Sequence, residues 1–178
     1  MARIRKFVSY RKLERPYTRT SKFKDKSYIR MSPNVAVVRF DSGNLNKKFQ
    51  YTLNLNSKKD LQIRDNALES ARQTSTKILE LNLGQTGFHM KVKTYPFHVL
   101  RENPVASGAG ADRFSTGMQQ SFGKPIGNAA RIKKGQTIFQ VSVDKSSLDL
   151  ARKALERASK KLPCSCVIQV MENKIKQI

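Results

Sequence analysis

From residue 49 the chain alternates: Phe49, Tyr51, Leu53 and Leu55 fall on one side of an extended segment, and Gln50, Thr52 and Asn54 on the other. The β-branched run VAVVRF at 35–40 reads as a buried strand before it. The Asp41-Ser42-Gly43-Asn44 cluster between them offers turn chemistry, so the pair predicts a hairpin with one dry face. The period then changes. Leu61, Leu68, Ala71, Ser75, Ile78 and Leu79 recur at three- and four-residue steps, a helical stripe that Gly84 is placed to end and that either Asp60 or Asp65 could cap. Alternation returns in GFHMKVKTYPFHVLRE, with Phe88, Met90 and Val92 opposed to His89, Lys91 and Lys93. Pro96 cannot donate to a ladder, so it bends this strand or confines it to an edge. His89 shares the face of the two lysines and His98 lies near the kink; both read as ordinary outward-facing histidines rather than ligands or catalysts.

Further on, KGQTIFQVSV predicts a strand with Phe139, Val141 and Val143 on one face. Ser146-Ser147-Leu148-Asp149 matches a helix-capping pattern, Leu148, Ala151, Leu155, Ala158 and Leu162 form an apolar stripe, and Pro163 stops it. The other face of that helix carries Arg152, Lys153, Arg157, Lys160 and Lys161. CSCVIQVM closes the pattern as a final strand. The fold class is therefore α+β: a mixed, mainly antiparallel sheet with two helices packed on it, plus a basic N-terminal arm and a long glycine-rich loop. Residues 1–30 are the arm, and residues 31–178 form a single domain that contains the loop at 103–118.

Charge turns this scaffold toward a partner. Among 178 residues, 35 Lys and Arg face 13 Asp and Glu, a formal net charge of +22. Such a chain repels itself until a polyanion neutralises it. Nucleic acid leads, because phosphates recur at fixed spacing and release counterions to lysine and arginine; anionic membrane or a heparin-like glycan is the rival. No stretch approaches the ~18 consecutive apolar residues of a membrane span, and MARIRKFVSY lacks a signal-peptide core. Glu14 and Asp25 argue against a mitochondrial transit peptide. Cys164 and Cys166 would share one face of the last strand, where a disulfide between them would be strained. With His89 and His98 they lack zinc-finger spacing, so they read as buried thiols in a reducing cytoplasm.

Two segments carry the chemistry. Residues 1–30 hold eleven cations against two carboxylates, interleaved with Phe7, Tyr10, Tyr17, Phe23 and Tyr28. Rings can stack on bases while neighbouring cations follow phosphate, so this reads as an arm that orders on RNA. The arm positions set against RNA are Arg3, Arg5, Lys6, Arg11, Lys12, Arg15, Tyr17, Arg19, Lys22 and Lys24; Lys91, Lys93, Lys124 and Arg131 join them from the domain. Six of the nine glycines then fall between 108 and 135. GAGADR lacks the third glycine of a dinucleotide fingerprint, and GKPIG puts Pro125 where a P-loop needs Ser or Thr. FSTGM is no nucleophile elbow. Glu102 and Asp112 each adjoin an arginine, which leaves little for acid/base catalysis. Small residues flanked by Arg101, Arg113, Lys124, Arg131, Lys133 and Lys134 predict instead a pliable finger pushed into RNA.

PFHVLR, AGADR, GM, FGKP, AAR and GQTIF, in that order between 89 and 143, closely resemble the universal large-subunit ribosomal protein family known as L-sixteen in bacteria, in its archaeal and eukaryotic L-ten-e branch. A weaker match runs from RKLERPYTR to IQVM. The resemblance implies a cytoplasmic, non-catalytic constituent of the large ribosomal subunit, seated on ribosomal RNA between the central protuberance and the peptidyl transferase centre. It implies a loop reaching toward tRNA acceptor arms and a part in late subunit maturation. Carried over by position, Arg101, Ser107, Gly108, Ala109, Gly110, Ala111, Asp112, Arg113, Gly117 and Met118 are that loop and its base. Neighbouring ribosomal proteins are expected partners; no cofactor, metal, membrane or homo-oligomer is expected. Ile126 stands where relatives can carry His in GKP-x-G. The chain ends at Ile178 without the long tail of eukaryotic members, which favours an archaeal source. An RNA-modifying enzyme on the same basic scaffold is the alternative, and it requires a pocket with convergent polar groups beside Asp112 or His98.

Overall fold

A computed structural model of the chain describes residues 5–18, 23, 25, 27–119 and 121–173. Among them, ten strands and α-helices follow in order: β1 (Asp41–Gly43), β2 (Tyr51–Ser57), β3 (Leu61–Arg64), α1 (Asp65–Leu83), β4 (Phe88–Val92), β5 (His98–Glu102), β6 (Lys124–Ile132), β7 (Thr137–Val143), α2 (Leu148–Ser159) and β8 (Cys166–Glu172). The α+β class is as the sequence predicts. The strands, however, form two antiparallel sheets, a five-stranded one ordered β1-β4-β7-β2-β8 and a three-stranded one ordered β3-β6-β5.

Pro96 divides them. The single alternating segment expected around it is two strands in different sheets. Lys93 gives its N–H to Ile138 O, the last such bond to the large sheet, and from His98 onward the chain pairs with β6. Proline lacks the donor that a continuing ladder would need.

Three local expectations are corrected. Residues 35–40 form no strand: Val37 is buried, Val38 is 82% exposed, and the partners of β2 are β7 and β8, so the predicted hairpin is not made. Asp65 Oδ2 instead accepts the N–H of Ala36 at 2.9 Å and pins this segment to the start of α1. Leu61 opens β3 opposite Ile132 rather than the helix, and α1 starts at Asp65, whose Oδ1 accepts the N–H of Asn66. At α2, Ser147 makes no side-chain cap; a short 3₁₀ turn over Lys145–Ser147 leads in, Ser147 N–H donating to Asp144 O. Gly84 does end α1, at φ 65°, where a side chain would be strained.

One core serves both sheets. Leu53, Leu55, Met90, Phe139, Val141 and Val143 on the large sheet meet Leu68, Ala71 and Leu79 of α1 and Ala151, Ala154, Leu155 and Ala158 of α2. The alanines let α2 approach closely. Leu61, Ile63, Ala130 and Ile132 bring one face of the small sheet into the same cluster. That leaves its other face for a different cover.

Candidate nucleic-acid interface

By strand alternation, the second face of the small sheet presents Gln62 and Arg64 of β3, Arg131 of β6 and His98 of β5. The arm covers it. Gln62 donates its backbone N–H to Arg11 O at 3.3 Å and its side-chain amide to the carbonyls of Tyr10 and Lys12. Arg64 lies over the Tyr10 ring at 5.4 Å. Tyr17 donates its N–H to His98 Nδ1 at 2.9 Å, and its carbonyl accepts the N–H of Val99 at 2.8 Å. Since β3 and β5 are the outer strands of this sheet, the arm meets both edges and satisfies amides that would otherwise lack partners.

His98 is thus no surface histidine. It is 1% exposed; burial above all, then the nearby positive charges of Arg131 and Arg101, lower its pKa to about 4. A neutral ring at pH 7 leaves Nδ1 free to accept from Tyr17. His89 is half-buried, with Nε2 3.1 Å from Asp41 Oδ1.

The glycine-rich stretch is the loop of the β5–β6 hairpin. Its stem contains a bulge: Leu100 faces Gly127 and Arg101 faces Pro125, so Ile126 is the extra residue. Above the bulge, Arg101 is sandwiched between the Tyr17 ring at 4.2 Å and the Phe122 ring at 3.9 Å, and it donates to the carbonyl of Phe122. Tyr28 adds a third ring 5.7 Å from Phe122. Arg5 pairs with Glu102. Arm and stem therefore share one aromatic and ionic joint. Gly123 has φ 82°, and a Cβ there would lie 3.0 Å from the carbonyl carbon of Glu102. Beyond it the loop opens. Asn103 Nδ2 spans to Gly117 O at 3.4 Å, Gly110 leads with positive φ into a 3₁₀ turn over Ala111–Arg113, and Phe114 and Met118 are 84% and 71% exposed.

Of the arm residues predicted to meet RNA, Arg5, Lys6, Arg11, Lys12 and Arg15 are exposed and Tyr17 is half-buried in the joint; Arg3, Arg19, Lys22 and Lys24 lie outside the described residues. Lys124 is exposed on the stem and Arg131 half-buried beneath the arm. Lys91 and Lys93 lie apart, on and just after β4 of the large sheet, Lys91 Nζ 3.6 Å from Asp41. In the loop Ser107, Gly108, Ala109, Gly110, Asp112, Arg113 and Met118 are exposed, and Ala111 and Gly117 half-buried. Arg101 is spent on the joint. Sequence reasoning missed Arg64 and Phe122, whose only signal is a cation or ring beside segments that bind each other at long range.

A cavity of about 90 Å³ beside His98 is lined by Tyr10, Glu14, Tyr17, Gln62 and Arg101 among others. Ligand sites run to roughly 300–1,000 Å³. A neutral histidine already accepting a backbone hydrogen bond is not poised for proton transfer, so this pocket lends an enzyme no support.

Fold and site together define a basic α+β scaffold protein that presents an arm and a finger rather than a catalytic cleft. The chain belongs to the family described as Ribosomal protein L16p/L10e, whose model matches residues 6–169. It is a family of structural ribosomal constituents, not of enzymes. Proteins named large ribosomal subunit protein uL16 are similar over most of their length. The one from Archaeoglobus fulgidus is 44% identical over 161 residues, 90% of this chain and 89% of that protein. One from Methanococcus maripaludis is 44% identical over 166 residues, 93% and 92% respectively, and one from Methanococcus aeolicus 43% over 168 residues, 94% of each.

Proposed function

We propose that this chain is a structural constituent of the cytoplasmic large ribosomal subunit, seated on its RNA through the arm-covered side of the small sheet. The loop at 103–118 extends from that seat, near the central protuberance and peptidyl transferase centre, toward the acceptor arms of bound tRNA. Incorporation supports late maturation of the subunit, and neighbouring ribosomal proteins complete its surroundings. One observation carries the reading: an exposed, glycine-jointed finger rises from a stem that the basic arm itself clamps, through Arg101, Tyr17 and Phe122. Close backbone approach and mobile amides suit a crowded phosphate surface.

Binding of folded large-subunit RNA fragments across a salt series tests it. Arg113→Ala, at an exposed tip position, is expected to lower the salt slope by about 0.7–0.9 and to leave unfolding unchanged. Unchanged affinity and slope would remove the loop from the interface. A preference for duplex DNA over folded RNA, or absence of the tagged chain from salt-washed large subunits, would overturn the whole reading.

A further inference from the structure

Cys164 and Cys166 are free thiols at the point where the chain leaves α2 and enters β8. Their Sγ atoms are 3.6 Å apart, and both residues are half-buried rather than sealed in the core. Cys164 sits in the bend ahead of the strand, where the backbone is not held by a ladder; Cys166 is the first residue of β8, paired with Ser57. Cys164 also lines an open cavity of about 400 Å³, shared with Phe7, Arg11 and Lys12 of the arm and with Lys59, Asp60 and Leu61. The arm thus shares a cavity with Cys164.

Charge selects what this site can take. The cavity lining holds three cations, Arg11, Lys12 and Lys59, against one carboxylate, Asp60, whose Oδ1 already accepts the N–H of Lys134. Lys58 adds positive charge at Cys166. Such surroundings oppose a bound metal cation and favour a thiolate, and among the described residues no cluster of three metal-ligating side chains exists. The two thiols also divide their roles. Hydrogen bonding from Cys166, with a smaller contribution from Ser57, draws Cys164 down to about 7 against the opposing effect of burial, while the same bond and burial push Cys166 up.

We propose that Cys164 and Cys166 form a peroxide-sensitive, reversible dithiol site, Cys164 attacking and Cys166 resolving. The Cys164 thiolate attacks one oxygen of hydrogen peroxide, the O–O bond breaks, and hydroxide leaves with the electron pair and takes up the proton released on ionising Cys164, giving water and a sulfenic acid. Cys166 then attacks that sulfur, its proton passing to the departing hydroxyl, and water leaves as the S–S bond forms. Two thiols are oxidised, one peroxide is reduced, and two waters result. A disulfide across one intervening residue is strained and hence readily reduced by a thiol, which makes the step reversible.

Hydrogen peroxide added to the purified full-length chain at neutral pH, with intact-mass detection, tests this. The expected result is loss of two hydrogens without dimerisation, reversed by dithiothreitol. Cys166→Ser should stop at a sulfenic acid trapped by dimedone, and Cys164→Ser should react at least about tenfold more slowly than Cys166→Ser. The wild-type chain, needing no variant, should also react about tenfold faster folded than in urea. Direct over-oxidation, purely intermolecular disulfides, equal rates for the two single variants, or no advantage of the folded chain would each overturn the proposal.

Discussion

The two sheets of this protein are made of different material. Strands β2, β7 and β8, contiguous in the large sheet, contain no lysine or arginine in a chain that has 35. Their helix-free face is an uncharged ladder: Thr52 Oγ1 lies 3.2 Å from Ser142 Oγ, Asn56 Nδ2 donates to Gln169 Oε1, and Asn54 Nδ2 to Met171 Sδ. The small sheet carries Arg64, Arg101, Lys124 and Arg131, takes the basic arm on its outer face and projects the finger. The uncharged strands lie in the first sheet, and the basic arm and the exposed finger meet at the second. A net charge of +22 is compatible with a packed core because, among the described residues, no Lys or Arg is buried in it.

The largest expected effect tests whether that division holds. Phe139 is fully buried in the large sheet, and Phe139→Ala should cost about 3–5 kcal/mol in urea unfolding. RNA affinity per folded molecule should stay unchanged, with the same salt slope. A proportionate loss of RNA binding would mean that the sheets are not separable in function.

Acid should act on the small sheet first. The folded pKa of His98, about 4, lies below the ordinary 6.5 of an unfolded histidine, so the unfolded chain binds the proton more readily. The contribution is intact above pH ~6.5 and is lost progressively as pH falls from there toward about 4, on the order of 3 kcal/mol in all. His98→Asn, which removes the titration, should flatten the stability profile over that window relative to wild type. Amide exchange at Tyr17 and Val99 should rise in wild type at pH 4.5 before exchange at Leu53 does. Simultaneous opening of both sheets would contradict the layered picture.

Legibility from sequence follows the same boundary. Strands β2, β4 and β7 and helix α2 announce themselves through local periodicity, because each buries one face against the helix–sheet core; β8 alternates too, though only Cys166 and Ile168 of it are half-buried and the rest is exposed. The small sheet does not. β3 is four residues long and its Leu61 merges with the helical stripe that follows; β6 reads KPIGNAARI, with Pro, Gly, Asn and paired Ala separating its two isoleucines so that no alternation shows. β6 holds because it is central, paired on both sides by β3 and β5. Charge and glycine spacing reveal the arm and the loop, since those signals are compositional. The burial of His98 and the sandwiching of Arg101 stay hidden, because their partners at Tyr17 and Phe122 are set by contacts far apart in the chain.

The smallest effect separates the stem of the finger from its tip. Gly123 and Gly110 both have positive φ, so alanine at either adds about 1 kcal/mol of backbone strain. Only Gly123 is crowded: an added Cβ would meet the carbonyl carbon and oxygen of Glu102 at 3.0 and 3.1 Å, whereas Gly110 has no heavy atom within 4 Å of that point. Backbone cannot swing aside as a flexible side chain does, so Gly123→Ala should lower unfolding free energy by about 2 kcal/mol and Gly110→Ala by about 1. The shift at Gly123 displaces Glu102 and, with it, the Arg5 ion pair and the Arg101 stack. Its signature is therefore faster proteolysis of the arm, which Gly110→Ala should not produce; equal arm cleavage in both variants would show that the stem and the arm are not joined as the geometry requires.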